Sequence, residues 1–281
     1  MCDLKDKVVL ISGGANGVGS GVVRLLMEEK VQHVAILDIA KDAGEAFQDE
    51  LNAKYGRDKV KFHLCDVTDE EVFLGIMADV NNTRGHIDVV INNAAIMNDS
   101  WQTYKKQISI NVTSLVTGSL RALEMMRRDE GGRGGTIINM SSVAALCQQP
   151  TLPVYWATKS AVLQFSNCLG MEDHYSRSGV RVITVCLGVT DTGLLTPQKT
   201  GRFDKYFEAQ YGEIFPVMRL QKQVLISCFI FRMESAAKGI VEACKRGESG
   251  STWLATRDEP VKDITEDVRK AYDILAVHAM P

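Results

Sequence analysis

The strongest constraint on the fold lies near the N-terminus, where Val8-Val-Leu-Ile-Ser12 runs straight into Gly13-Gly-Ala-Asn-Gly17-Val-Gly19. A short β-branched run without polar alternation suits a strand covered on both faces, as in a parallel sheet. From Ser20 to Glu29, Val22, Leu25 and Leu26 recur at helical intervals. Strand, glycine loop and helix make the first half of a βαβ unit. His33-Val-Ala-Ile-Leu-Asp38 is the next strand and ends on a carboxylate.

The alternation continues along the chain. Asp42 to Leu51 reads as a helix, Val60 to Leu64 as a strand ending near Asp66-Val67, and Asp69 to Asn81 as a helix with an acidic first turn. Ile87 to Ile91 is a fourth strand running into Asn92-Asn-Ala-Ala95. One helical stretch covers Ser100 to Arg128, and the Gly-rich turn Asp129 to Gly135 follows it. Thr136 to Met140 is a fifth strand that delivers Ser141 and Ser142. Pro150 and Pro153 predict a loop before a helix from Tyr155 to His174, and Val180 to Cys186 is a sixth strand. Ser235 to Lys245 and Thr252 to Ala255 read as a last helix and strand. Such alternation predicts an α/β fold, a doubly wound parallel sheet of about seven strands with helices on both faces. No repeat, linker or low-complexity tract divides the chain, so residues 1–281 are read as one domain.

Charge and cysteine usage exclude several classes. The net charge is −3 with the two signs well mixed, which argues against nucleic acid as a partner. No apolar run approaches the roughly 20 residues that span a bilayer. The Met1-Cys-Asp-Leu-Lys-Asp-Lys start lacks the pattern of a secretory signal. The seven cysteines are scattered without Cys-x-x-Cys, so neither a disulfide framework nor a metal site is expected. A reduced, cytoplasmic setting fits, with Cys65, Cys168 and Cys186 as small core hydrophobes.

The glycine loop carries the first chemical signal. A helix N-terminus offers unpaired N–H groups and partial positive charge to a phosphate. Gly13 suits the turn, Gly17 the close approach of a pyrophosphate, and Gly19 the packing of helix on strand. Asp38 follows by about 20 residues, at the strand end from which a carboxylate binds an adenosine ribose diol. It would repel a 2′-phosphate, and no Arg or Lys occupies the loop or Ile39, so NAD is favoured over NADP. Asp66 either contacts the adenine amine or caps the helix starting near Asp69. The expected cofactor contacts are Ser12, Gly13, Asn16, Gly17, Val18, Gly19, Asp38, Ile39, Asp66 and Val67.

The second signal is Tyr155-Trp-Ala-Thr-Lys159, whose spacing stacks a phenol and an ammonium on one helix face. With the glycine loop, Asn92-Asn-Ala-Ala95, Asn111 and Ser142 in this order, the chain resembles the short-chain dehydrogenase/reductase family from about Lys5 to Thr192, and again in the last helix and strand. It is most similar to the NAD-dependent 15-hydroxyprostaglandin dehydrogenase and insect alcohol dehydrogenase-like branch. The resemblance implies a Rossmann-type fold and a tetrad. Tyr155 is then the general acid–base, Lys159 its electrostatic partner, Ser142 the donor to the substrate oxygen, and Asn111 a holder of water behind Lys159. Ser141 is the alternative to Ser142. Asn93, Ala94, Thr190 and Thr192 are implied to face the cofactor, together with Tyr155 and Lys159. The activity implied is hydride transfer between NAD and an apolar, secondary or long-chain alcohol or its carbonyl. A homodimer or homotetramer is implied, meeting through the Ser100–Arg128 and Tyr155–His174 helices.

The sequence departs from the family in places. Ala95 stands where glycine is usual, and Leu187 replaces the proline usual before Gly188, which predicts a looser loop over the nicotinamide. Leu152 stands where prostaglandin dehydrogenase-like sequences carry a Gln, which favours a more apolar alcohol. The segment about 193–233 is read as the substrate side, with Phe203, Tyr206, Phe207, Tyr211 and Phe215 as candidate pocket residues. Its last part, Arg219 to Met233, looks inserted. Two competing readings stay open: a catalytically weak NAD-binding partner protein, and a carbonyl reductase preferring NADPH.

Overall fold

The structure is a computed structural model, and it describes residues 2–150, 152–190 and 232–277. Strands β1 (Val8–Ser12), β2 (His33–Asp38), β3 (Val60–Leu64), β4 (Val89–Asn92), β5 (Gly135–Ser142), β6 (Val180–Leu187), β7 (Thr252–Ala255) and β8 (Lys262–Asp263) form one sheet. Their order is β3-β2-β1-β4-β5-β6-β7-β8. Neighbours are parallel except β7 and β8. The expected seven-stranded parallel sheet is therefore extended by a two-residue antiparallel edge that is too short for sequence patterning to register.

The helices are α1 (Gly17–Glu28), α2 (Lys41–Tyr55), α3 (Glu70–Arg84), α4 (Tyr104–Ile108), α5 (Ser114–Met126), α6 (Pro153–Leu169), α7 (Glu172–Ser178), α8 (Met233–Arg246) and α9 (Thr265–Ala276). Strand pleating sorts their partners, because alternate side chains point to opposite faces. Val9, Ile11, Val34, Ile36, Val89 and Ile91 pack with Val22, Val23 and Leu26 of α1, Phe47 and Leu51 of α2, and Ile240 and Val241 of α8. Val8, Leu10, Ala35, Leu37 and Val90 point the other way, onto Phe73, Met77 and Val80 of α3 and Ala122 and Met126 of α5. On this second face a buried polar chain spans two helices. Asn92 Nδ2 donates to Ser119 Oγ (3.0 Å) and Asn139 Oδ1 (2.8 Å), and Asn139 Nδ2 donates to Ser166 Oγ (2.9 Å). Satisfied networks of this kind fix one arrangement of the elements they join.

Several expectations change. The stretch Ser100–Arg128 is not one helix: α4 passes into a π-helical turn, Ser109–Thr113, before α5. The helix begun near Tyr155 ends at Leu169 and α7 is separate, because Met171 between them takes extended backbone (ψ 153°). Pro153 belongs to α6 rather than to a loop; it is the first helical residue, where its missing N–H costs nothing. Helix α9 had no forecast. Cys65 and Cys186 are buried, but Cys168 is exposed on α6. Strand β6 runs on through Leu187, which pairs with both Ser142 and Ala255. Gly188 N then donates to Ala255 O (2.8 Å), so the expected loosening does not begin before Gly188. Thr192, the five pocket aromatics and residues 219–231 lie outside the described residues. Of the apparent insertion, Arg232 pairs with Asp258 (3.0 Å) and Met233 opens α8. Among the described residues no helix is long and apolar enough to cross a membrane.

Candidate active site

Strand order reverses between β1 and β4, whose C-terminal ends flank a crevice; open α/β sheets bind ligands at such a point. The glycine loop forms one wall. Gly13 (φ +66°) and Gly17 (φ +55°) both hold left-handed backbone that side chains rarely adopt. A Cβ at Gly19 would overlap the Gly13 carbonyl oxygen, so only glycine lets α1 start this close to the turn. Asn16, the exposed N-cap of α1, makes no side-chain cap, and the first turn carries no acidic residue. The leading N–H groups of α1, Val18 and Gly19 among them, are thus left open to an anion.

The other wall braces this loop. Ser12 Oγ accepts from Asn93 N (3.1 Å) and Ala94 N (3.2 Å). Asn93 Nδ2 donates to the carbonyls of Ser12 (3.1 Å) and Gly13 (2.8 Å), so its side chain ties β4 to the loop. Asp38 ends β2 beside the loop, accepting from Ala15 N and Ala40 N, each at 3.0 Å. That grip aims the carboxylate and leaves lone pairs free for a diol. Ile39 next to it is 66% exposed, an apolar shelf at the crevice edge. Asp66 is not the cap of α3; Asp69 is, accepting from Val72 N (3.2 Å). Asp66 instead accepts from Thr68 N (3.0 Å) and Oγ1 (2.7 Å) and pairs with Lys106 (3.4 Å), while Val67 is buried behind it.

The C-terminal ends of β5 and β6 meet α6 at the candidate tetrad. The Ser142 hydroxyl neighbours the Tyr155 hydroxyl closely enough to favour its ionised form. Ser142 Oγ donates to Leu187 O (3.3 Å) and accepts from Ala144 N (3.2 Å). Ser141, one residue back on the pleat, turns away and donates to Lys159 O (2.8 Å). Lys159 Nζ is buried, donates to Met140 O (3.0 Å) and lies 5.8 Å from the Tyr155 ring centroid. Burial raises the Tyr155 pKa to about 12, opposed by the Ser142 hydroxyl. Burial also lowers Lys159 from 10.5 to about 8. Asn111 sits in the π-helical turn, a distortion frequent at functional sites. Its Oδ1 accepts from Ile96 N (2.9 Å), and its Nδ2 donates to Ile96 O (2.9 Å) and Thr158 Oγ1 (3.2 Å). Asn111 therefore reaches the residue beside Lys159 rather than its ammonium. Thr190 Oγ1 donates to Gly188 O (3.0 Å) and is buried.

Two residues here gave no signal in the sequence. Asp99 is 4% exposed, and its carboxylate accepts from Val154 N (2.7 Å) and Tyr155 N (3.0 Å). Gln107 donates to it (2.8 Å). No spacing motif links residues that meet only when α4 and α6 pack. A cleft of about 1280 Å³, lined in part by Lys7, Asp88, Gly135 and Arg181, opens at the opposite, N-terminal ends of the strands and contains none of the tetrad.

Residues 7–202 match the short chain dehydrogenase family. The chain belongs to that family. It is 32% identical over 203 residues to 15-hydroxyprostaglandin dehydrogenase [NAD(+)] of Bos taurus, an overlap of 72% of this chain and 75% of that one. The Homo sapiens protein of the same name is 31% identical, with the same coverage. Alcohol dehydrogenase 1 of Ceratitis capitata is 33% identical over 224 residues, 78% of this chain and 83% of that one. The resemblance carried by the glycine loop and the Tyr-Lys pair is borne out, including its branch, and this short-chain dehydrogenase is an oxidoreductase.

Proposed function

We propose that this short-chain dehydrogenase interconverts an apolar alcohol and its carbonyl with NAD, using Tyr155 as general acid–base. The observation that carries the reading is the convergence of Ser142, Tyr155 and the buried Lys159 ammonium, 5.8 Å from the Tyr155 ring, at the strand ends. The loop fits a dinucleotide, since its open N–H groups and the space a Cβ at Gly19 would fill both suit a pyrophosphate. Gly13, Asn16, Gly17, Val18 and Gly19 would hold that group, Asp38 the ribose hydroxyls, Ile39 and Val67 the adenine faces, and Asp66 its amine. Ser12 and Asn93 support the loop, while Ala94, Thr190 and Thr192 border the nicotinamide end.

Held by the loop and Asp38, an oxidised nicotinamide dinucleotide would supply the hydride acceptor and positive charge near the phenol. Burial alone keeps Tyr155 protonated. Lys159 favours the phenolate, and the Ser142 hydroxyl is placed to bond the substrate oxygen beside it. Tyr155 Oη then receives the alcohol proton, and the reverse path donates it to a carbonyl. Asn111 holds Thr158 and so the turn that carries Lys159. Met97, Ala144 and Leu152 pack around Tyr155, which supports an apolar substrate wall. Assembly through α5 and α6 belongs to the same reading, with Leu120 exposed on α5.

Incubation with NAD and sterol, isoprenoid, retinoid and eicosanoid alcohols, followed by NADH absorbance, tests the reading. Turnover of at least one apolar secondary or long-chain alcohol is expected; tight NAD binding with no turnover across the panel would leave only a binding protein. Asp38→Ala is expected to weaken NAD by about 1.5–3 kcal/mol, roughly 10–160-fold, the worth of hydrogen bonds to a charged acceptor. NADP should be nearly unaffected or improved, as titration with both cofactors would reveal.

A further inference from the structure

Helix α6 begins without the usual local provisions. Its N-cap is Leu152, which makes no side-chain cap, and Pro153 at the first position has no N–H. The amides of Val154 and Tyr155 must therefore find acceptors elsewhere in a buried region. Both find one carboxylate. Asp99 Oδ2 accepts from Val154 N at 2.7 Å and Oδ1 from Tyr155 N at 3.0 Å, across 55 and 56 residues of sequence. Asp99 does from a distance what a capping Asp does from the adjacent position.

The carboxylate is itself held. Gln107 is fully buried, donates to Asp99 Oδ1 at 2.8 Å, and accepts from Asn98 N. Gln107 stands one helical turn before Asn111, which grips Ile96 through both its N–H and its carbonyl. Two side chains of one helix face thus staple the segment 96–99 at both ends. The helix bearing Tyr155 and Lys159 is joined to this staple twice, at its start through Asp99 and at Thr158 through Asn111. Among the described residues no ion pair is formed by Asp99; its charge is met by three N–H donors and the positive end of α6. A carboxylate buried to meet a helix start and one glutamine is an expensive choice for a mere cap, and it holds the backbone amide of Tyr155 itself.

We infer that Asp99, oriented by Gln107, is a positioning residue for the proton-transfer step: it sets the start of α6 so that the Tyr155 hydroxyl meets Ser142 and the substrate oxygen. This rests on Tyr155 being the acid–base. A displacement of about 1 Å at such a group costs on the order of 100-fold in rate. The glycine loop and Asp38 lie on other elements, so cofactor binding does not share the dependence.

The test uses the full chain and whichever alcohol the wild type oxidises. Asp99→Ala is expected to lower kcat by about 100-fold with the Kd for NAD unchanged. Asp99→Asn, which keeps one acceptor oxygen, should fall between it and wild type. Gln107→Leu should lose less than Asp99→Ala, and the double variant no more than Asp99→Ala alone, because both act through one contact. Equal kcat in folded Asp99→Ala, or kcat and NAD affinity falling together in step with unfolding, would overturn the inference. Hydrogen exchange at residues 154 and 155 is read in the same variants and needs no turnover. If the wild type oxidises no alcohol, the functional reading fails, yet faster exchange confined to the start of α6 still supports the positioning contact. Unchanged protection there refutes it. Should Asp99→Ala not fold, Asp99→Asn and Gln107→Leu carry the same comparison.

Discussion

Tyr155→Phe is expected to lower kcat by about 10²–10⁴-fold, the range that acid–base assistance contributes, with NAD affinity preserved. The substitution separates chemistry from packing. The ring keeps its contacts with Met97, Ala144 and Leu152 and its edge contact with Trp156. Ser142 Oγ still has Leu187 O and Ala144 N as partners, so no polar atom on that side is orphaned. Stability should therefore change little. Steady-state kinetics beside an NAD titration decide the matter: a variant turning over near the wild-type rate would remove Tyr155 from the mechanism, whatever the family pattern.

Lys159→Met is the second large effect, and it has two signs. For activity, the ammonium is the chain's own cation near the phenol, 5.8 Å from the ring centroid. A neighbouring cation typically favours an ionised acid by about 1–3 pH units, and each unit is a tenfold change in phenolate below its pKa. Oxidation at neutral pH should fall by about 10–1000-fold, and the rising limb of the pH–rate profile should move to higher pH by the same 1–3 units. An unmoved limb would show that Lys159 serves binding or packing instead.

For stability the change runs the other way. Burial lowers Lys159 from 10.5 to about 8, so the folded state disfavours its charged form. A group depressed on folding destabilises most below its folded pKa, and the penalty fades as pH rises from about 8 towards 10.5. At pH 7 the full penalty is about 3 kcal/mol, from which about 1 kcal/mol for the lost bond to Met140 O must be taken. Lys159→Met should thus gain about 2 kcal/mol and several degrees in Tm at neutral pH, and much less near pH 10. Active sites commonly hold function at the expense of stability in this way. A Tm measured at both pH values checks it, and a lower Tm at pH 7 would contradict the burial argument.

The parts of this protein that local chemistry dictates were legible. Val8 to Gly19 read as strand, turn and helix because apolar run, glycine and helical periodicity act within a few residues of each other. Asp38 followed from its place at the next strand end. Register on the pleat also decides between adjacent serines: Ser142 faces Tyr155 while Ser141 faces the backbone of Lys159. Spacing pointed to Ser142 without giving the reason. Helix boundaries were less legible, since the π-helical turn at Ser109–Thr113 and the extended Met171 after α6 interrupt stretches whose apolar spacing runs on.

The sequence by itself therefore determined the winding of the sheet, the glycine loop with its acidic partner, and the order of Asn111, Ser142, Tyr155 and Lys159. All of these rest on periodicity, turn chemistry or side-chain type at short range. Only the tertiary structure decided which groups hold that site in place. Asn93 bracing the glycine loop, Asn111 bonded to Ile96 and Thr158, and Asp99 capping the Tyr155 helix are pairings across 15 to 81 residues. A buried polar group takes whichever partner folding brings within about 3 Å, and that proximity is set by packed helices and strands rather than by any local pattern.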